Sequence, residues 1–244
     1  MAVSKKRKLR GKAVKHRPLE AAKRDLSKQW NIKIKASQLI YLKDDPDFLT
    51  LVKFGRAINA LSFAMVVAAS SMNDDSHIGR RQYRRGLFVL AGYLHQTIML
   101  VRGIGAGDRH VTMDAFVPLR TIAHDPKYQK VRTYCKTIRN YTAFHLDEFD
   151  EHENTQTSLS KLDLGMYVLM GGDDDNFLTF YFEFADYLDF ALVGTTFQGE
   201  RTPRETMDDI VNSILQLAGE LLEALFGFQL ALAKKMELEE YVYR

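Results

Sequence analysis

Cysteine is almost missing from this chain: Cys135 is the single one among 244 residues. An intrachain disulfide framework and a thiolate-built zinc site are thereby excluded, and a reducing, cytoplasmic setting is expected. Tryptophan is equally scarce, with Trp30 alone, so stacking of bases on indole has one candidate. Long unbroken apolar runs are missing too. "ALSFAMVVAASSM" ends in polar residues short of the roughly 18 to 20 that a membrane span needs. No signal-peptide pattern opens the chain, so the expectation is a soluble protein without membrane contact.

Acidic residues are rare at the start. Residues 1–35 hold thirteen Lys and Arg against Glu20 and Asp25, a balance of +11, and the remainder carries −8, giving the net +3. The basic character therefore belongs to a tail. Residues 1–30 contain too little apolar surface to offset the entropy of ordering and read as a basic flexible tail. Such a tail can neutralise phosphates and bind nucleic acid without regard to sequence; a solvated tail, or one attached to an acidic partner, is the alternative. "NIKIKASQLIYL" then alternates at first, as a short edge strand or a packed arm would.

What the sequence does have is helical periodicity, and 46% hydrophobic residues suffice for one substantial core in a domain over 31–244. Asp45-Pro46, Asp125-Pro126 and Thr202-Pro203 each place a capping side chain before a proline whose missing N–H costs nothing in a first turn. They predict helices over about 46–69, 126–150 and 203–237, the last with a capping box between Thr202 and Glu205. Another helix over about 78–102 is marked by Tyr83, Leu87, Leu90, Leu94, Ile98 and Val101. In the first, Phe48, Leu51, Phe54, Ile58, Leu61, Met65 and Ala69 share a face. Four such lengths suit an all-α fold, an antiparallel four-helix bundle. A β-hairpin insertion at about 165–185 is expected from two strand-like runs around "GGDDDN".

Several polar clusters invite a functional reading. "GIGAGDR" follows a helical pattern and has Asp108 where a dinucleotide loop needs glycine, so it reads as a helix-ending loop. Asp173 to Asp175 lack the spaced pattern of a cation site and sit where a hairpin must turn. No metal and no cofactor is expected. Arg80, Arg81, Arg84 and Arg85 crowd a helix start, where the dipole disfavours cations, and form either a solvated surface or a patch facing an anion. Arg56 and Asn59, in an otherwise apolar helix, need partners if buried.

The densest cluster is "TIRNYTAFHLDEF". Val131, Cys135, Ile138, Thr142, His145 and Phe149 recur at three and four, which puts His145 on or beside a packing stripe. Arg139 falls with Arg132, Lys136, Ala143 and Asp147, about 120° around the axis. Two readings stay open: a core histidine with a solvated arginine, or a working pair. The pair can cooperate only if the helix ends or bends between them, or if a second copy brings its own set.

In these residues the sequence resembles the HEPN superfamily, four-helix domains many of which are metal-independent ribonucleases of toxin, antiphage and RNA-processing systems. The family signature is an arginine, four to six residues and a histidine, often with a polar residue after the arginine; Arg139, Asn140 and His145 fit. Arg10 and His16 repeat the spacing, but inside the tail. The resemblance implies a homodimer with a composite cleft, and 2′-OH attack on RNA leaving a 2′,3′-cyclic phosphate. Arg139, Asn140 and His145 would be catalytic, and Tyr141, Thr142, Arg56, Asn59, Arg80 and Arg81 would line the substrate path. Expected partners are RNA, a second copy, and a protein partner or antitoxin. The alternative is a non-catalytic HEPN-like module that binds RNA, a nucleotide or a protein. Some members carry a tyrosine two residues after the histidine that a partner enzyme modifies; Asp147 stands there, which disfavours that control.

Overall fold

The computed structural model describes residues 31–32, 42–140 apart from 73, 75 and 106, then 170–173, 176–182, 193, 197, 203–238 and 240–241. These residues are mostly helical, and the class is all-α. The chain divides into two units: residues 41–237, and residues 1–40 together with 238–244. In the second, Asn31–Ile32 pairs antiparallel with Glu240–Tyr241. The rest of "NIKIKASQLIYL" up to Tyr41 lies outside the described residues.

In the larger unit, α1 (Pro46–Ser70) opens as its sequence dictates: Asp45 Oδ1 accepts from the N–H of Asp47 at 2.7 Å and of Phe48 at 3.4 Å, with Pro46 in the first turn. It buries Leu51, Phe54, Leu61, Ala64 and Ala68. Ala69, placed on this face by the spacing, is exposed instead. α2 (His77–Arg102) is capped by the Ser76 hydroxyl, which accepts from Gly79 N–H at 3.0 Å. Leu87, Leu90, Leu94, Ile98 and Val101 are all buried. The two helices cross closely at Gly86, where a Cβ would stand 3.0 Å from the Ala68 nitrogen.

Gly103 ends α2, as the helix-ending reading of "GIGAGDR" requires. The segment beyond it holds structure that the periodicity did not announce: 3-10 turns at Arg109–Thr112 and Asp114–Phe116, then a short α3 (Val117–His124) with Pro118 in its first turn. The expected single helix from 126 to 150 is also different. It starts as a 3-10 turn at Pro126–Tyr128, with Asp125 Oδ1 accepting from Lys127 N–H at 2.9 Å, and continues as α4 (Gln129–Ile138). At Arg139 and Asn140 the backbone widens into π-helical geometry, and residues 141–150 lie outside the described residues. Val131, Tyr134, Cys135 and Ile138 are buried along α4.

Met170–Asp173 and Asn176–Phe182 pair antiparallel, with Asp173 opposite Asn176. The last helix, α5 (Pro203–Lys235), turns Ile210, Ile214, Leu217, Leu221, Leu225, Phe228 and Leu232 inward. Its capping partner Thr202 lies outside the described residues. α1 and α4 each pack on both α2 and α5, and α3 also packs on that pair. At the core's centre the Phe228 ring meets Phe54 and Phe116 edge-on, at 5.2 Å each.

Unbroken apolar runs proved too strict a test for membrane-spanning capacity. α1 and α5 are each long and apolar enough to cross a bilayer by length and composition, with 28% and 39% of their most apolar windows buried within the chain. One or two charges interrupt the letters without removing the apolar surface a helix presents. α1 leaves Leu49, Phe63 and Val66 exposed.

Candidate functional site

Three polar clusters are built into the larger unit, and their chemistry differs. The first joins the start of α1, the loop after α2 and the end of α5. His110 is 2% exposed; its Nε2 lies 2.6 Å from Asp47 Oδ1 and its Nδ1 2.5 Å from Asp108 Oδ1. Asp47 also meets Lys235 at 3.0 Å and Arg109 at 2.9 Å. Burial opposes ionisation of Asp47, yet hydrogen bonds from Lys235 and His110 and the nearby charges hold its pKa below the usual carboxylate value. The Asp108 pKa is lowered first by the backbone N–H of His110. Both ring nitrogens of His110 are occupied and enclosed. This histidine ties helix ends together.

The second cluster lines a groove of about 320 Å³ between α4 and α5. Tyr128 donates to Glu220 Oε2 at 2.5 Å, Lys130 meets Asp209 at 2.6 Å, and Lys127 stands over the Tyr128 ring. Burial and the facing carboxylate raise the Tyr128 pKa, while the Tyr128 hydroxyl and Gln216 lower that of Glu220. These cations and anions satisfy one another, so the groove wall is a stitched helix seam.

The third cluster contains the sequence motif. Arg139 is half-buried and donates through Nη1 to the Asn140 side-chain oxygen at 3.1 Å. Its Nε and that of Arg132 are the buried side-chain atoms without a hydrogen-bond partner among the described residues. Arg132, which the wheel puts on the same face as Arg139, is only 7% exposed. Its Nη1 donates to the carbonyls of Ile122 and Asp125, and Arg102 donates from Nε and Nη2 to that of Ala123. The two guanidiniums thereby satisfy orphan carbonyls at the α3 C-terminus, where the helix dipole favours cations. The face of α4 that carries Arg139 is thus partly an interior face.

His95 on α2 belongs to this cluster. Its pKa is lowered, first by burial, then by the charges of Arg139, Lys136 and Arg102, which leaves a neutral imidazole at pH 7. The sequence signal for it is legible afterwards: His95 and Arg102 are seven residues apart, two turns along one face.

Of the residues singled out from the sequence, the structure brings Arg139 and Asn140 together. His145, Tyr141 and Thr142 lie outside the described residues. Arg56 and Asn59, expected to need partners in an apolar helix, are exposed on α1; among the described residues no hydrogen bond or ion pair links either to Arg139. Arg80 is exposed and Arg81 half-buried in the first turn of α2. Asp173 ends one strand and Asn176 begins the next, and no group of three potential metal ligands forms among the described residues. Compared with known proteins, the chain matches no family, no curated protein and no solved structure.

Proposed function

We propose that this chain is a HEPN-like domain, an antiparallel four-helix bundle of α1, α2, α4 and α5 with a small β-hairpin before the last helix. Within that class it is a metal-independent endoribonuclease that acts as a homodimer, a toxin or phage-defence effector. The observation that carries the reading is the state of Arg139: a half-buried guanidinium whose Nε is buried without an acceptor, steered by Asn140, where regular α-helix gives way to a wider turn. A phosphoryl group is the acceptor that a guanidinium fork fits best, and only part of the Arg139 fork is engaged by Asn140. π-helical turns gather at functional sites.

In the reaction, the 2′-oxygen of RNA attacks the adjacent phosphorus while an imidazole removes its proton. The P–O5′ bond breaks, an acid protonates the leaving 5′-oxygen, and a 2′,3′-cyclic phosphate and a 5′-hydroxyl result. His145 takes the acid–base part, and Arg139 stabilises the charge-rich pentacoordinate phosphorus. Support for a second copy comes from α1, where Leu49, Val52, Arg56, Asn59, Phe63 and Val66 recur at three and four. Phe63 and Val66 are 66% and 65% exposed, a stripe of the kind that pairs helices.

The test is incubation of wild type and His145→Ala with mixed RNA in EDTA at matched folded content. Cleavage by wild type alone is expected, with cyclic-phosphate ends. Equal cleavage by both, or none by either across a broad RNA panel, sinks the enzyme reading. The second reading is binding without catalysis, by a HEPN-like RNA-, nucleotide- or protein-binding module. It is favoured by the excess of cations around His95 and predicts RNA retention without product.

A further inference from the structure

α2 and α4 meet along two basic stripes: His95 and Arg102 on α2, and Arg132, Lys136 and Arg139 at intervals of four and three on and just past α4. One end of this seam is closed, because Arg102 and Arg132 are bound to the carbonyls of Ile122, Ala123 and Asp125. The other end is open: Lys136 is exposed, and His95 and Arg139 are half-buried. Among the described residues, the charges that act on His95 are those of Arg139, Lys136 and Arg102, with no carboxylate among them.

Gathering like charges around an imidazole is unfavourable unless an anion completes the set. The closing turn of α4 offsets part of that cost through its dipole. A tetrahedral phosphate offers two free oxygens to donors arriving from different helices. A protein carboxylate offers its acceptors in one plane, which suits a single arginine fork better than donors converging from two helices.

We propose that His95 and Lys136 hold the phosphodiester group flanking the one engaged by Arg139, so that single-stranded RNA runs along the α2–α4 seam. The site rests on the reading of Arg139 as a phosphate ligand, and it adds a histidine that the motif does not contain. His95 is a binding residue, one phosphate away from the bond that breaks.

The probe is a 2′-O-methyl RNA trinucleotide, which cannot be cleaved because its 2′-oxygens are blocked. NMR of the full chain reads binding at the His95 ring, apart from the basic tail. Saturating trinucleotide is expected to shift the His95 ring signals and to raise the pH at which they titrate, since a bound anion favours imidazolium. Lys136→Gln, at an exposed position, is expected to weaken that response severalfold and to reduce the salt slope of binding by about 1. His95→Gln should weaken binding while removing its pH dependence.

An unmoved His95 at saturation, or an affinity and salt slope unchanged in Lys136→Gln, overturns the proposal. So does an acidic hexapeptide that shifts His95 where the trinucleotide does not. The two readings fail separately. RNA left intact by wild type alongside a His95 response sinks the nuclease and leaves the seam standing; His145-dependent cleavage with an unmoved His95 does the reverse.

Discussion

Asp47 sits one residue inside α1 with a carboxylate that two cationic side chains, Arg109 and Lys235, and the His110 ring address. An asparagine keeps one acceptor oxygen there but loses the buried negative charge that Arg109 and Lys235 face, and turns an amide N–H₂ toward groups that are themselves donors. Asp47→Asn is therefore expected to lower unfolding stability by about 2 to 3 kcal/mol, read as a shift of the urea midpoint. The pH dependence has a definite sign. Asp47 and Asp108 both have folded pKa values below their unfolded ones. Their contribution is complete above the ordinary aspartate pKa of about 4 and is lost as pH falls through the lower folded values. Wild type should lose stability steeply below about pH 4, and Asp47→Asn less so. Cys135 gives a second residue-scale prediction. Burial pushes its thiol pKa up to about 12, so the native protein should resist iodoacetamide at pH 8 and react once unfolded in urea.

Helices feel their glycines differently. At Gly86 a side chain would meet the backbone of Ala68 in the facing helix, and backbone cannot move aside as a side-chain tip can. Gly86→Val should cost roughly 2 kcal/mol through forced separation of α1 and α2. Gly219, on α5, has nothing within 4 Å of the added carbon, so Gly219→Ala should gain about 0.5 to 1 kcal/mol from helix propensity. Thermal melts of the two variants should move in opposite directions. Elements of this kind were legible in the sequence wherever local chemistry decides them. Asp45-Pro46 sets its helix start alone, and the α2 stripe from Leu87 to Val101 is buried throughout. The 104–125 segment was not legible, because eight-residue α3 is too short to display a period and is held by arginines from α2 and α4. The same limit hid the candidate site's inner half: Arg139 and Asn140 declared themselves by spacing, but His95 is placed beside them by helix packing alone.

For the molecule as a whole, the proposed pairing of two copies rests on the outward stripe of α1. Phe63→Glu puts a charge in the middle of that stripe without touching the core. On the proposal of a cleft shared by two chains, it is expected to leave a monomer by sedimentation at micromolar concentration where wild type is a dimer, and to abolish the proposed RNA cleavage with it. A monomer that still cuts would assign the whole cleft to one chain.

The Asp47 cluster also fixes an order of events during synthesis. Lys235 belongs to the last turn of α5, so α1 leaves the ribosome long before one of the cations that holds its first turn has been made. Until then Asp47 has at most the partners supplied by the 103–112 region, and the Phe228 ring that fills the centre of the core is also still to come. The nascent body must wait for the final helix with the part of α1's apolar face that packs on α5 still uncovered. Chains stalled before Phe228 should therefore be markedly more sensitive to protease along α1 than chains released after Lys235.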